Sequence, residues 1–341
     1  MRGVIYTQHG DSTVLELVER PIPEPGDGEV RLRVLVSGVN PTDWKSRSGA
    51  FGGALAGPTV PNHDGAGIID KIGGGVDGLR VGDRVWVTLA GDGRPVSGTA
   101  QEYTAVPAER VFPLPAAADF ELGAGIGIPA ITAHRALTVA EDGPTRLQPN
   151  ALDDRTVLVA GGAGAVGNAA IQLARWAGAT VIATVSGDAK ARLATAAGAH
   201  HVVNYKDADA PDQVRRVAPG GVDVIVEVAA GRNADLDLAN LRQRGTIAIY
   251  ANDGRAPLSL DIRRNMGLNT RYQFVLLYTV GWDRITAAAV DVNQAIEDGA
   301  FHVGKQSGLP LHRFSLEDTA AAHSAVENGA VGKVLITVGA E

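Results

Sequence analysis

From Val4 to about Val111 the apolar stretches are short and punctuated by turn residues. Pro21-Ile22-Pro23-Glu24-Pro25-Gly26-Asp27-Gly28 precedes a run from Val30 to Val36 in which Arg31 and Arg33 alternate with apolar positions. Gly73-Gly74-Gly75 and Val81-Gly82-Asp83-Arg84-Val85-Trp86-Val87 follow. Period-two alternation between Gly and Pro clusters predicts short strands and a β-rich first lobe. Past Pro115 the period changes, and Ala116 to Ala140 is Ala-rich with helical spacing, which suits a crossing into a second lobe. There, near-continuous apolar strands at Thr156–Ala160, Thr180–Val185, His201–Tyr205, Val222–Val228 and Gly245–Tyr250 alternate with helical stretches, the first running from the Gly turn to about Trp176 and the others at about Ala189–Ala197, Gln213–Val217 and Ala234–Arg242. This alternation predicts a parallel sheet covered by helices on both faces. Tyr272–Tyr278 reads as one more strand. Helices around Asp283–Glu297 and Leu316–Glu327 and a strand at Val334–Val338 are expected to fold back on the first lobe. No internal repeat is visible.

Composition narrows the class. A chain of 341 residues exceeds the ~250–300 that one hydrophobic core usually serves, which supports two lobes. With 45% hydrophobic and 20% charged residues the chain is globular. A net charge of −7 without a basic block argues against a nucleic acid or an anionic membrane as partner. The absence of Cys removes disulfides, thiolate nucleophiles and thiolate zinc ligands together. The start, Met1-Arg2-Gly3-Val4-Ile5-Tyr6, has no signal-peptide core, so a cytosolic protein is expected. Between Val157 and Val185, Asn168, Gln172, Arg175 and several Gly interrupt the apolar run, and no membrane span is read there.

Gly162-Ala163-Gly164-Ala165-Val166-Gly167 is a complete G-x-G-x-x-G. It follows a predicted strand and opens a predicted helix within a βαβ unit, the context in which such a loop cradles a dinucleotide pyrophosphate. The glycines admit the tight turn and close backbone approach, and the helix start offers free N–H groups. A site that prefers NAD places an acid at the end of the second strand. Ser186 stands there, followed by Gly187, and Asp188 reads as the cap of the next helix. Lys190, one turn into that helix, and Tyr205, ending the third strand, can meet a 2′-phosphate. The expected cofactor is NADPH.

Several further motifs appear in order along the chain: Gly38-Val39-Asn40-Pro41-Thr42-Asp43-Trp44-Lys45 with Arg47-Ser48-Gly49, Val81-Gly82-Asp83-Arg84-Val85, Gly127-Ile128-Pro129-Ala130-Ile131-Thr132-Ala133, the glycine loop, Gly198-Ala199 leading to Asn204-Tyr205, and Gly332-Lys333-Val334-Leu335. With these the sequence resembles the zinc-independent, quinone oxidoreductase-like (zeta-crystallin-like) branch of the medium-chain dehydrogenase/reductase superfamily over nearly its whole length. The resemblance implies an α/β fold: a GroES-like β-rich catalytic domain at 1–123, completed by about 271–341, and a Rossmann doubly wound parallel-sheet cofactor domain at 124–270. It implies that Lys190 and Tyr205 hold the 2′-phosphate of NADPH and that Thr132 lies near the nicotinamide. It also implies cofactor contacts at Gly162, Gly164, Ala165, Val166, Gly167, Ser186, Tyr250, Leu276 and Lys333. Zinc-dependent relatives carry a Cys where Asn40 stands, a Gly-His-Glu motif and a four-Cys lobe. This chain lacks the lobe and keeps only His63-Asp64 at the Gly-His-Glu position, so no metal is expected. Relatives pair edge strands as homodimers, and Phe274-Val275-Leu276-Leu277-Tyr278 is an apolar strand suited to that.

Hydride transfer to a conjugated carbonyl leaves negative charge on its oxygen, which donors or a cation must meet. Asn40 offers an amide donor and Lys45 a charge, with Asp43 placed to orient Lys45. Lys45 is alternatively an anchor for the cofactor, and Arg47 reads as a structural ion-pair partner. Tyr250 and the segment Phe274 to Tyr278 are candidates to line the nicotinamide and substrate pocket. The expected activity is NADPH-dependent reduction of quinones or α,β-unsaturated carbonyls, a small-molecule reaction. The alternatives are a dedicated enoyl-type reductase of a biosynthetic or acyl-thioester intermediate and a non-catalytic NADPH-binding protein.

Overall fold

The computed structural model describes residues 1–253 and 256–339. The chain opens with strands β1 (Arg2–Ile5), β2 (Glu16–Glu19) and β3 (Glu29–Val39), followed by the short helix α1 (Pro41–Arg47). Strands β4 (Asp64–Ile72), β5 (Arg84–Val87), β6 (Tyr103–Pro107) and β7 (Val111–Pro113) lead to the long helix α2 (Phe120–Leu137). An alternating stretch follows: β8 (Thr156–Ala160), α3 (Ala165–Trp176), β9 (Thr180–Val185), α4 (Asp188–Ala196), β10 (His201–Asn204), α5 (Ala210–Val217), β11 (Val222–Glu227), α6 (Ala230–Asn240), β12 (Leu241–Ile249), α7 (Ile262–Leu268) and β13 (Arg271–Phe274). The chain ends with α8 (Trp282–Glu297), β14 (Leu311–Ser315), α9 (Thr319–Glu327) and β15 (Lys333–Thr337). Among the described residues no helix is long and apolar enough to cross a membrane.

Two compact units result. The first comprises Met1–Ile128 and the chain from Pro310 onward. Its main sheet runs β14-β15-β3-β4-β5-β7, with β6 paired to another stretch of β3, and all pairings but β14–β15 are antiparallel. Strand β3 obeys the alternation in the sequence: Val30, Leu32 and Val34 are buried while Arg31 and Arg33 are less so. Val30 and Leu32 join Ile69, Val85, Val87 and Val106 in one core cluster. A register shift between Val34 and Val36 lets the rest of β3 serve a second cluster with Val60, Leu316, Val334 and Ile336.

The second unit, Pro129–Leu309, holds a six-stranded sheet ordered β10-β9-β8-β11-β12-β13, parallel throughout. Numbered within the unit this is 3-2-1-4-5-6, the doubly wound order that places ligands at the carboxyl ends of the strands beside the first one. Its strands are almost wholly apolar because both faces are covered: Leu158, Ile182, Ile225 and Ile247 are at most 1% exposed.

The division differs from the sequence expectation at two places. Residues 271–309, expected to complete the first lobe, belong to the second unit, because β13 pairs in register with Thr246–Ile249 of β12. The expected strand Tyr272–Tyr278 is also shorter. It stops at Phe274, and after Val275 N–H donates to Ile249 O (2.8 Å) the chain turns into a 3₁₀ helix at Leu277–Thr279.

Candidate active site

Strand β8 runs into the glycine loop, and three of its glycines answer to packing inside the unit. Gly161 takes φ +70°, a conformation that favours glycine. A Cβ on Gly162 would come within 2.8 Å of Ala183 Cβ, and one on Gly167 within 2.4 Å of Gly161 O. Gly164 differs. It is exposed, and a Cβ there would meet only Gly161 O, at an ordinary 3.4 Å. Gly164 is also the N-cap of α3, and no side chain caps that helix. The start of α3 therefore presents N–H groups and the positive end of the helix dipole beside an open backbone face. This cradle fits a pyrophosphate.

The ends of the neighbouring strands carry the other predicted cofactor residues. Val185 and Asn204 are partners in the β9–β10 ladder, so Ser186 and Tyr205 leave the sheet side by side, and Tyr205 N–H donates to Val185 O (3.0 Å). Tyr205 is 45% exposed and Lys190, on α4, is exposed as well. Asp188 is the first residue of α4 rather than its cap, the cap being Gly187. An acid at the ribose position is absent from the end of β9.

In the first unit, residues from five separate segments converge on one buried carboxylate. Asp64 Oδ2 accepts from Asn40 Nδ2 (2.7 Å), Oδ1 accepts from Thr88 Oγ1 (2.9 Å), and Ile128 N–H donates to both oxygens (2.9 and 3.0 Å). Lys333 Nζ donates to Asn40 Oδ1 (2.6 Å) and lies 3.8 Å from Asp64 Oδ2. Asn40, Asp64 and Lys333 are at most 2% exposed. Gly127 makes room for this, since a Cβ there would sit 2.2 Å from Asp64 Oδ1. Burial pushes Asp64 up and Lys333 down, while their attraction opposes both changes.

Asp43 and Lys45 part company. Asp43 Oδ2 accepts the backbone N–H of Asn40 (2.6 Å) and its side chain is buried, so it fixes the start of α1 instead of orienting Lys45. Burial pushes Asp43 up to about 8, and the charge of Asp64 adds to the effect. Lys45 is half-buried, with Nζ 5.7 Å from the centre of the Trp44 ring. Arg47 pairs with Glu327 (2.7 Å), as expected of a structural ion pair.

Comparison with known proteins decides the lineage. Residues 26–116 match the alcohol dehydrogenase GroES-like domain and residues 165–292 the zinc-binding dehydrogenase family. The quinone oxidoreductase of Lama guanicoe is 32% identical over 98% of this chain and 97% of its own. The chain belongs to the quinone oxidoreductase-like medium-chain dehydrogenases/reductases. Among solved structures, a mycobacterial quinone oxidoreductase superposes with a TM-score of 0.83 at 29% identity, covering 99% of each chain. A mycobacterial protein solved in complex with NADPH gives 0.82 at 30% identity, covering 99% of this chain and 100% of its own.

As a member of this family the chain is an oxidoreductase with a GroES-like domain and a Rossmann domain. One matched family is described as zinc-binding, and the residues present do not fit that metal. Asp64 already holds three donors in four hydrogen bonds, the nearest cation to it is the Lys333 ammonium, and Asn40 has given both ends of its amide to these two. Burial, with Arg110 adding to it, pushes His63 down to about 4, so its ring is neutral at pH 7. Among the described residues no group of three His, Asp or Glu could hold a metal ion.

The remaining predicted residues are dispersed. Thr132 is buried on α2, Tyr250 directly follows β12 with its N–H on Glu227 O (3.0 Å), and Leu276 is 55% exposed at the start of the 3₁₀ helix. Lys333 was expected among the cofactor contacts. Its ammonium is directed into the Asn40–Asp64 cluster of its own unit, which leaves it enclosed rather than open to a ligand. The sequence reading missed Asp64, Thr88 and the Ile128 N–H, although Asp64 stands at the Gly-His-Glu position and could have been suspected on that ground.

Proposed function

We propose that the chain is an NADPH-dependent reductase of quinones or α,β-unsaturated carbonyls. The carrying observation is the pairing of an open, uncapped helix start at Gly164 with a second strand that is followed by Ser186 where an acid would be needed for NAD. The NADPH-bound relative at 30% identity and the quinone oxidoreductases among the curated relatives support it. When bound, NADPH supplies a hydride. In this reading the N–H groups from Gly164 to Gly167 hold the pyrophosphate, Ser186, Lys190 and Tyr205 hold the 2′-phosphate, and Thr132, Tyr250 and Leu276 lie along the nicotinamide half.

The first unit supplies the polar chemistry. Lys333 and Asp64 fix the Asn40 amide at both ends, so its second N–H has a set direction and needs no reorganisation to meet developing negative charge. Asp43 holds the backbone beneath it. Lys45 supplies a cation for the substrate oxygen, with no metal required. Kinetic constants with NADPH and NADH against a panel of quinones and enones test the reading. At least ~tenfold preference for NADPH is expected from charge-assisted contacts to the phosphate, and equal values overturn it.

The homodimer is part of the same proposal. Strand β13 is the sheet's edge, and Phe274 and Leu276 are 67% and 55% exposed beside it, an apolar edge that pairing with a second copy would cover. Light scattering at micromolar concentration decides between dimer and monomer.

A further inference from the structure

A second pair of buried acids lies at the strand ends of the second unit. Glu227 ends β11 and is 0% exposed, and Asp237, on α6, is 1% exposed. Asn233, whose amide binds Glu227, stands one turn before Asp237 on α6, which brings the two carboxyl groups to the same face. Glu227 also accepts the backbone N–H of Ala229 and, at 3.0 and 3.2 Å, Asn233 Nδ2, all at the start of α6. Asp237 Oδ1 meets no donor.

Among the described residues no cation forms an ion pair with either acid. Their titratable surroundings are Tyr250 and Asp253 after β12 and Tyr272 on β13, whose hydroxyl donates to Asn265 on α7 (2.9 Å). Arg264 of α7 lies 3.9 Å from exposed Asp235 and, like Asp237, acts on Tyr272. Two carboxylates enclosed this way cannot both be ionised at modest cost. The donors and the helix dipole favour the anion on Glu227, so the proton resides on Asp237. Burial raises both groups, Asp237 well above the usual carboxylate range.

The pair acts on the next residue. Val228 follows Glu227, its carbonyl accepts from Asp253 N–H (2.9 Å), and its Cγ1 lies 3.3 Å from the point a Cβ on Gly161 would occupy. The turn that Glu227 pins is therefore packed against the first residue of the glycine loop.

We infer that Glu227 and Asp237 share one proton, and that this proton holds Val228 against Gly161, which makes Asp237 a positioning residue for the dinucleotide. The second part rests on the proposal that the loop takes NADPH. Loss of the proton to solvent leaves two anions in one enclosure, and their repulsion opens the turn and loosens the loop.

The test compares wild type with Asp237→Asn and Glu227→Gln, each of which keeps an amide hydrogen bond across the pair and removes one ionisation. The KM for NADPH of wild type is expected to rise ~5–10-fold as pH is raised from neutral into the alkaline range with kcat little affected, while Asp237→Asn rises less than ~2-fold. Without cofactor, the Tm of wild type is expected to fall more steeply over the same range than that of either variant. Identical pH profiles of Tm overturn the shared proton. Diverging Tm profiles with identical KM profiles overturn the coupling to the loop. Glu227→Gln serves if Asp237→Asn does not fold. A wild type that binds no NADPH at any pH overturns the proposed cofactor and the positioning role with it, and the Tm comparison still decides the shared proton.

Discussion

Lys333 Nζ donates to Asn40 Oδ1 across 2.6 Å, joining residues 293 apart in sequence, and the far side of the same amide is bound to Asp64. A buried ammonium and a buried carboxylate thus meet partly through a neutral amide, at the place where zinc-dependent relatives carry a thiolate.

Lys333→Met is expected to destabilise the protein by ~3–5 kcal/mol in urea unfolding, because Asp64 is left as an enclosed charge without its cation. Lys333→Met combined with Asp64→Asn should recover part of that loss. A single variant as stable as wild type contradicts the ion pair.

Gly127→Ala pits two effects against each other. Alanine gains ~1 kcal/mol over glycine in a helix interior, but its Cβ would lie 2.2 Å from Asp64 Oδ1, and overpacking of that kind costs ~1–3 kcal/mol. A net loss of stability is expected, and Asp64→Ala in the same chain should turn the alanine favourable.

Asp43 gives a pH dependence with a definite sign. Its folded pKa, about 8, lies above the ordinary 3.8, so the native state holds a proton that the unfolded chain releases. The stability this proton contributes is present in full below the ordinary value and is lost as pH rises to about 8. Asp43→Asn should therefore gain on wild type steadily over that window in urea unfolding, and stop gaining above it.

Lys190→Ala is expected to raise the KM for NADPH about tenfold while that for NADH moves less than about twofold, because an exposed lysine contributes mainly through the 2′-phosphate. Equal changes for both cofactors would remove Lys190 from the phosphate site.

Lys45→Met is expected to lower kcat/KM for enones by ~10–1000-fold with NADPH affinity within about threefold, since a cation beside the developing enolate matters most in the transition state. If NADPH affinity instead falls tenfold with kcat intact, Lys45 anchors the cofactor.

The glycine loop and its sheet were legible because their signals are local. A strand, a G-x-G-x-x-G and a helix lie within a few residues of one another, and the missing acid at Ser186 can be read by counting. The Asp64 cluster was not legible in that way. Its donors come from 24, 64 and 293 residues along the chain, counting from Asp64 or Asn40, and no periodic pattern marks a buried charge. The bond from Lys333 to Asn40 was hidden for a related reason: Gly332-Lys333-Val334-Leu335 identifies a motif but not the side of the strand its ammonium takes. Tyr272–Tyr278 was read too long because an apolar run does not reveal where its ladder partner ends, and β13 has partners only through Phe274.

Helix α2 passes through this cluster with an interrupted ladder. Ile128 gives its N–H to a carboxylate, and Pro129 has none to give. A single backbone amide is thereby tied to an anion in the middle of an otherwise ordinary helix, and that singles it out spectroscopically. In a ¹⁵N-labelled sample the Ile128 proton should resonate downfield of its helical neighbours and exchange slowly. It is a built-in reporter of whether Asp64 carries its charge, readable without substrate, cofactor or any substitution.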